Sequence, residues 1–255
     1  MTELNYAEYG SGKALVILHG LFGSHKNWQS HARRFADFAR VIVVDLRNHG
    51  GSFHADDMTY DLMAADVAQS LARLNLSSCD ILGHSMGGKV ALKLALNHAE
   101  LVDRLVIADI APVSYEHDYD HLIDPILALS LASLDSRKQA DQLLKPAISD
   151  DLLRAFLLQN LVQEANQWRW RVNWGAIKNQ LPELTGFALP SEQWRIDAPT
   201  LFINGGESPY IGKLEKEIIN AHFSQVEFAT IPAAGHWLHA EKPDEFSKLV
   251  IDYLS

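Results

Sequence analysis

The stretch 79–88 reads Cys-Asp-Ile-Leu-Gly-His-Ser-Met-Gly-Gly, and it decides how the rest of the chain is organised. Its first four residues are typical of a buried strand, and residues 89–97 have the apolar spacing of a helix. Between them, Gly83–Gly87 matches the pattern G-x-S-x-G, in which a serine occupies a sharp turn from a strand to a helix. Glycines are needed there because neighbouring backbone passes close to the turn. Taken alone, the pattern also fits a plain glycine-rich turn, but its context predicts an exposed Ser85 hydroxyl above a sheet.

Strand and helix signals alternate on both sides of this stretch. Short continuous apolar runs are typical of strands that are buried on both faces of a sheet. The predicted strands are 14–18, 41–44, 79–82, 101–108, 199–203 and 226–231. Helical patterns separate them, which predicts an α/β fold with a mostly parallel central sheet flanked by helices. Residues 4–9, followed by a glycine turn, predict a hairpin at the edge of the sheet.

The alternation is interrupted between residues 112 and 197, where helical patterns replace the strand signals. We therefore expect a helical cap at 112–197, inserted before the last two strands, and an α/β core formed by 1–111 and 198–255. An excursion of this length within a compact domain is usually functional, as in a lid over a site.

Charge and composition argue against several classes of partner. The chain of 255 residues has a net charge of −10 and no basic block, which argues against nucleic acid. It contains no run of about 18 apolar residues, so no membrane span is predicted. The histidines form none of the common metal-binding motifs, and neither a metal ion nor a cofactor is expected. The expected partner is a small-molecule substrate, and the sequence carries no signal for the oligomeric state.

The single cysteine, Cys79, lies in a predicted strand, where a small buried thiol is the expected role. One cysteine cannot form an internal disulfide, and this fits a reducing compartment. The first residues lack the basic and apolar pattern of a signal peptide. We therefore expect a cytoplasmic location.

A serine hydroxyl needs a base to accept its proton, and the base needs a partner that fixes its tautomer. His236 follows the last predicted strand in a glycine-flanked loop. The carboxyl ends of parallel strands open on one edge of a sheet, so this loop should lie beside Ser85. We interpret His236 as the base, His49 as structural, and His239 as packed or solvated.

Five segments together resemble a known family: His19–Ser24, Asp45–Gly50, Gly83–Lys89, Asp109–Val113 and Gly206–Tyr210. They resemble the α/β-hydrolase superfamily and, within it, the small bacterial esterases of the YbfF type. The resemblance spans both halves of the core and is weakest in the cap. It implies an α/β-hydrolase fold and a triad in the chain order serine, acid, histidine.

The acid of that triad has two candidates. In most α/β-hydrolases an aspartate follows the strand after the cap, but here that loop reads Gly-Gly-Glu-Ser-Pro over 205–209, with Ser208 at the corresponding place. Relatives of the YbfF type use an aspartate at the end of the strand after the nucleophile strand, which corresponds to Asp109. We favour Asp109, with Glu207 as the alternative and a turn or helix cap as the other interpretation of Asp109.

Backbone amides are expected to bind the oxyanion that forms during acyl transfer. One is the N–H of Met86, which follows the nucleophile. The second should come from the loop after His19–Gly20, and Leu21 is favoured over Phe22.

Together these features predict a serine hydrolase for carboxylic esters. The resemblance implies short to medium acyl groups, with acyl thioesters as a second substrate class. The triad is Ser85, Asp109 and His236. Arg169 and Arg171 in the cap are a hypothetical contact for CoA esters. Two alternatives stay open: a lyase or synthase on the same scaffold, and a ligand receptor with residual hydrolase activity.

Overall fold

A computed structural model describes residues 3–189 and 193–255 of the chain. The strands are β1 (Tyr6–Tyr9), β2 (Ala14–Leu18), β3 (Arg40–Val44), β4 (Cys79–His84), β5 (Val102–Ala108), β6 (Leu161–Glu164), β7 (Gln167–Trp170), β8 (Thr200–Gly205) and β9 (Val226–Ile231). The helices are α1 (Gln29–Phe35), α2 (Tyr60–Arg73), α3 (Met86–Asn97), α4 (Asp120–Leu127), α5 (Arg137–Leu144), α6 (Asp151–Leu158), α7 (Trp174–Asn179), α8 (Leu181–Thr185), α9 (Lys213–His222), α10 (Leu238–Glu241) and α11 (Pro243–Leu254).

Seven strands form the central sheet in the order β1-β3-β2-β4-β5-β8-β9. All neighbouring pairs are parallel except β1 and β3, which are antiparallel. Every residue of β2 and β4 is buried, as expected for apolar strands covered on both faces. The predicted α/β architecture with a mostly parallel sheet is confirmed.

Side chains alternate between the two faces of the sheet and build two separate cores. Val16 and Ile42 face a core that includes α2 and α3. Leu15 and Val43 face the opposite core, which includes α1 and α11. The two-residue period of an extended strand explains this division, because successive side chains point to opposite faces.

The predicted edge hairpin is wrong in its partner. Strand β1 pairs with β3, with Tyr6 opposite Val44, and not with β2. The glycine turn after β1 packs against the residues before β3, and a Cβ on Gly10 would lie 2.4 Å from the Ala39 oxygen. Gly10 has φ +71°, so the chain can turn there and enter the sheet on the other side of β3.

The expectation that the insertion before the last two strands is entirely helical also needs correction. Besides α4–α8 it contains the antiparallel hairpin β6–β7, in which Leu161 faces Trp170. Its two turn residues, Ala165 and Asn166, have φ of +48° and +62°, the backbone signs of a type I′ turn. The turn lacks the glycine that usually marks such a hairpin, and each strand has only four residues, so the pattern was weak in the sequence.

We propose to treat 112–197 as a cap on the core formed by 1–111 and 198–255, and we use the word cap for that segment below. Among residues 3–189 and 193–255, no helix combines the length and apolar character required to cross a membrane.

Candidate active site

Ser85 lies on a strained turn between β4 and α3, with φ +52° and ψ −120°. Its backbone N–H donates to the Ala108 oxygen at 3.0 Å, which ties the turn to β5. Added Cβ atoms on Gly83 and Gly87 would lie 2.3 Å from the Gly87 oxygen and 2.2 Å from the Leu18 oxygen, respectively. Both contacts are too short for any side chain, so the glycines of the motif are required by the close approach of backbone.

The structure brings Ser85, His236 and Asp109 together at the carboxyl edge of the sheet. The Ser85 hydroxyl lies 2.9 Å from His236 Nε2, and His236 Nδ1 lies 2.7 Å from Asp109 Oδ2. The Tyr210 ring stacks on the imidazole of His236 with a centroid distance of 4.1 Å. The imidazole can accept the serine proton at Nε2 while its Nδ1–H donates to the carboxylate.

Asp109 follows β5 and is completely buried. Its Oδ1 accepts the N–H of Gly205 at 3.0 Å, and its Oδ2 accepts the Ser208 hydroxyl in addition to His236. A buried carboxylate needs such donors, because leaving it unpaired would be costly. Glu207 is exposed, and its backbone N–H donates to the Ala234 oxygen.

Ser208 is a contact that the sequence interpretation missed. In the sequence, Ser208 stood out only because it replaces the aspartate that most α/β-hydrolases carry in this loop. In the structure its hydroxyl donates to the carboxylate of Asp109. The available signal was the shared sheet edge, because β8 lies next to β5 and both strands end there.

The loop after β2 forms a tight turn at Gly20–Gly23, closed by the Gly23 N–H to the Gly20 oxygen at 3.0 Å. The N–H of Phe22 donates to His49 Nε2 at 3.0 Å. The Phe22 amide is therefore already engaged, which leaves Leu21 as the candidate donor from this loop. Met86 supplies the other candidate amide at the start of α3.

Buried histidines support both sides of the site. Burial lowers the pKa of His49 and His239 to about 3 and holds the pKa of His84 well below its usual value, so all three are neutral near pH 7. His84 Nε2–H donates to the backbone oxygen of His236 at 2.9 Å, which fixes the loop that carries His236. His239 packs flat on Trp28, with ring centroids 4.5 Å apart, and is buried rather than solvated.

Two cavities meet at Ser85. The larger has a volume of about 260 Å³. Its walls are largely apolar and include Leu21, Phe22, Leu122, Leu153, Phe156 and Trp237. The smaller, about 30 Å³, lies on the Met86 side and is lined by Tyr60, Lys89, Tyr115 and Tyr210 among others.

Lys89 connects α3, the helix that begins directly after Ser85, to the end of α8 in the cap. Its buried ammonium donates to the oxygens of Thr185 and Gly186 at 3.2 and 2.8 Å. Burial lowers the pKa of Lys89 to about 7. Arg169 and Arg171, the cationic side chains that the sequence analysis singled out in the cap, line neither cavity. Arg169 pairs with Glu164.

The part of the chain that the structure describes contains no group of three or more histidine, cysteine, aspartate or glutamate side chains arranged to hold a metal ion.

Comparisons with known proteins agree with this architecture. Residues 13–243 match the sequence profile of the family described as alpha/beta hydrolase fold. The mouse sn-1-specific diacylglycerol lipase ABHD11 is 37% identical over 251 residues, which cover 95% of this chain and 81% of that protein. The esterase YbfF of Escherichia coli is 35% identical over 243 residues, covering 94% and 92%. A solved structure described as a marine microorganism esterase superposes with a TM-score of 0.96 at 35% identity, over 100% of both chains.

Proposed function

The chain belongs to the α/β hydrolase fold family, and we propose that it hydrolyses carboxylic esters through an acyl-enzyme formed on Ser85. The observation that carries the proposal is the continuous contact from the Ser85 hydroxyl to His236 Nε2, 2.9 Å, and from His236 Nδ1 to Asp109 Oδ2, 2.7 Å. Relatives named esterase or lipase support ester hydrolysis as the reaction.

In the first half of the reaction, Ser85 Oγ attacks the ester carbonyl carbon while His236 Nε2 accepts the hydroxyl proton. The imidazolium then donates that proton to the leaving alcohol as the ester bond breaks, and the acyl group remains on Ser85. In the second half, water gives a proton to His236 and attacks the acyl carbon, and the proton returns to Ser85. Asp109 keeps Nδ1 protonated and stabilises the transient positive charge.

The backbone N–H groups of Leu21 and Met86 are proposed to bind the oxyanion in both halves. Fixed donors of this kind act mainly on the transition state, and removing one typically lowers kcat by about 10²–10³-fold. Both residues border the small cavity beside Ser85.

The substrate is proposed to be an ester with a short to medium acyl group, and the apolar walls of the 260 Å³ cavity support this choice. Acyl thioesters are the second substrate class. A role for Arg169 and Arg171 in binding CoA esters stays a hypothesis. Its support is weak, because neither residue lines that cavity. A cytoplasmic location remains part of the proposal because the one cysteine, Cys79, is buried and free.

A panel of nitrophenyl esters and acyl thioesters of graded chain length tests the proposal, with Ser85→Ala as the matched variant. We expect multiple turnovers by the wild type, a rate at the background level for Ser85→Ala, and the same melting temperature for both proteins. A single turnover by the wild type would favour the receptor alternative. Ester hydrolysis at the wild-type rate by Ser85→Ala would reject Ser85 as the nucleophile and favour a different chemistry on this scaffold.

A further inference from the structure

The Gly20–Gly23 turn that presents Leu21 contains a residue in an unfavourable backbone conformation. Phe22 has φ +64°, in the left-handed region that residues with a side chain rarely adopt. A positive φ at the third position of a four-residue turn is usually provided by glycine or asparagine. A phenylalanine stays in such a conformation only when its surroundings fix it.

One group from the core holds this residue. The Phe22 N–H donates to His49 Nε2 at 3.0 Å, and His49 Nδ1–H donates to the Arg47 oxygen at 2.9 Å. His49 is completely buried, and its two hydrogen bonds define one neutral tautomer. The imidazole therefore orients the peptide group between Leu21 and Phe22.

A second group comes from the cap. Asn160, which lies between α6 and β6, donates from Nδ2 to the Phe22 oxygen at 2.8 Å. Asn160 is only 4% exposed, and its backbone oxygen accepts the Arg171 N–H at 2.9 Å, so its position is set within the cap. The Phe22 ring also packs on Trp174, with ring centroids 4.9 Å apart.

We propose that Asn160 is a positioning residue through which the cap fixes the Gly20–Gly23 turn and so aligns the Leu21 amide with the oxyanion. The two peptide groups that flank the Phe22 Cα are then held from opposite sides, one by the core and one by the cap. Without the Asn160 bond the strained turn is free to relax, and hydrolysis slows although Ser85, His236 and Asp109 stay in place. This inference rests on the proposed function, since it takes Leu21 as an oxyanion donor.

The test compares Asn160→Leu, which keeps the number and branching of the side-chain heavy atoms but removes the donor, and Asn160→Ala with the wild type. We expect kcat for a nitrophenyl ester to fall about tenfold to hundredfold, and KM to change less than twofold. This fall in kcat is at most about as large as the fall caused by removing a direct oxyanion donor. A trifluoromethyl ketone binds Ser85 as an oxyanion adduct, so its Ki should rise by the same factor as kcat/KM falls. If Asn160 only supported the fold, its replacement would lower the melting temperature, but the rise in Ki would not match the fall in kcat/KM.

Gln159→Ala is the matched control. Gln159 is the exposed neighbour of Asn160, and its Oε1 accepts the Asn27 Nδ2–H at 2.9 Å. The variant removes a side-chain hydrogen bond between cap and core without touching the Gly20–Gly23 turn. We expect wild-type kcat and inhibitor affinity.

Several results would overturn the inference: wild-type kcat and Ki in both Asn160 variants, a change in KM alone, an equal loss in Gln159→Ala, or failure of both Asn160 variants to fold. Failure of the proposed function has a different signature, because the wild type would then hydrolyse no ester or Ser85→Ala would retain activity. Ser85-dependent hydrolysis with unaffected Asn160 variants would contradict only the role of the cap.

Discussion

Asp109 is the side chain on which the orientation of His236 depends. It accepts hydrogen bonds from the Gly205 N–H, the Ser208 hydroxyl and His236, and no part of it reaches solvent. Its backbone N–H donates to the Ile203 oxygen at 2.8 Å, so β8 fixes both its main chain and, through Gly205, its carboxylate. The carboxylate therefore holds the His236 ring in one orientation before a substrate arrives.

The first prediction concerns the identity of the acid. In Asp109→Asn the new amide can donate to His236 Nδ1, which favours the tautomer that cannot accept the serine proton. We expect kcat to fall about 10⁴-fold with little change in KM, as for other triads with this substitution. Glu207→Gln, which changes an exposed carboxylate in the neighbouring loop, is the control and should keep wild-type kinetics. The opposite pattern in steady-state assays would assign the acid to Glu207.

The three side chains that the structure brings together were predicted from the sequence on different signals. Ser85 follows from its glycine spacing and His236 from its place after the last strand, whereas Asp109 was favoured over Glu207 through the resemblance to the YbfF-type esterases. The supporting contacts of His84, Ser208 and Asn160 could not be predicted, since each joins segments distant in the chain through a single hydrogen bond. Such contacts depend on packing that no local pattern records.

At the scale of elements, close backbone packing restricts the turn from β4 to α3. Gly87 is at the start of α3, where the helix passes against the end of β2, and Gly83 packs against that same first turn. The fixed approach of helix to strand sets the direction of the Ser85 side chain. Any change in that approach should affect activity more than it affects secondary structure.

The second prediction follows from this close packing. Gly87→Ala would place a methyl group 2.2 Å from the Leu18 oxygen, so α3 must shift away from β2. We expect a lower melting temperature and a loss of kcat of at least about a hundredfold, comparable to loss of an oxyanion donor. Both are measured on the purified variant by thermal unfolding and ester hydrolysis.

Gly175→Ala is the matched control for this variant. Gly175 lies in α7, and nothing lies within 4 Å of its Cβ position. Alanine has a higher helix propensity than glycine, so this variant should be as stable as the wild type or more stable. Equal effects of the two alanines on kcat would contradict the packing argument.

The elements themselves differ in how well the sequence predicted them. Buried parallel strands such as β2 and β4 are continuous apolar runs and were predicted. The pairing of β1 and the existence of β6 and β7 were not, because both depend on short edge strands of four residues. In such strands the partner is chosen by turn geometry and neighbouring packing rather than by apolar content.

At the scale of the whole molecule, burial keeps several histidine side chains neutral. Histidines 19, 31, 49, 84 and 239 are buried, and burial lowers the pKa of each. The rings of His19, His31, His49 and His84 form hydrogen bonds that join segments distant in the chain. The same arrangement makes the stability of the molecule depend on pH.

The third prediction gives the direction of that dependence. The pKa of His239 is lowered to about 3 in the folded chain, against about 6.5 in an unfolded one. Below pH 6.5 the unfolded chain therefore binds more protons, and the free energy of unfolding falls as the pH is lowered towards 3. For this histidine alone the loss between pH 7 and pH 5 is about 2 kcal/mol.

Urea unfolding at pH 7 and pH 5 measures this effect in the wild type and in His239→Phe, which keeps an aromatic ring next to Trp28. We expect the variant to lose about 2 kcal/mol less stability than the wild type over this interval. His121→Gln changes an exposed histidine of α4 and serves as the control with the wild-type dependence. A His239→Phe protein that loses as much stability as the wild type would refute the assignment of a buried neutral imidazole.

The account depends on a covalent acyl group on Ser85, and rapid quenching followed by peptide mass mapping tests that claim most directly. Wild-type protein mixed with a nitrophenyl ester and quenched before the steady state should carry the acyl mass on the peptide that contains Ser85. The mass should disappear when turnover is complete and should be absent from Ser85→Ala. Turnover without any adduct, or an adduct on another residue, would contradict the account.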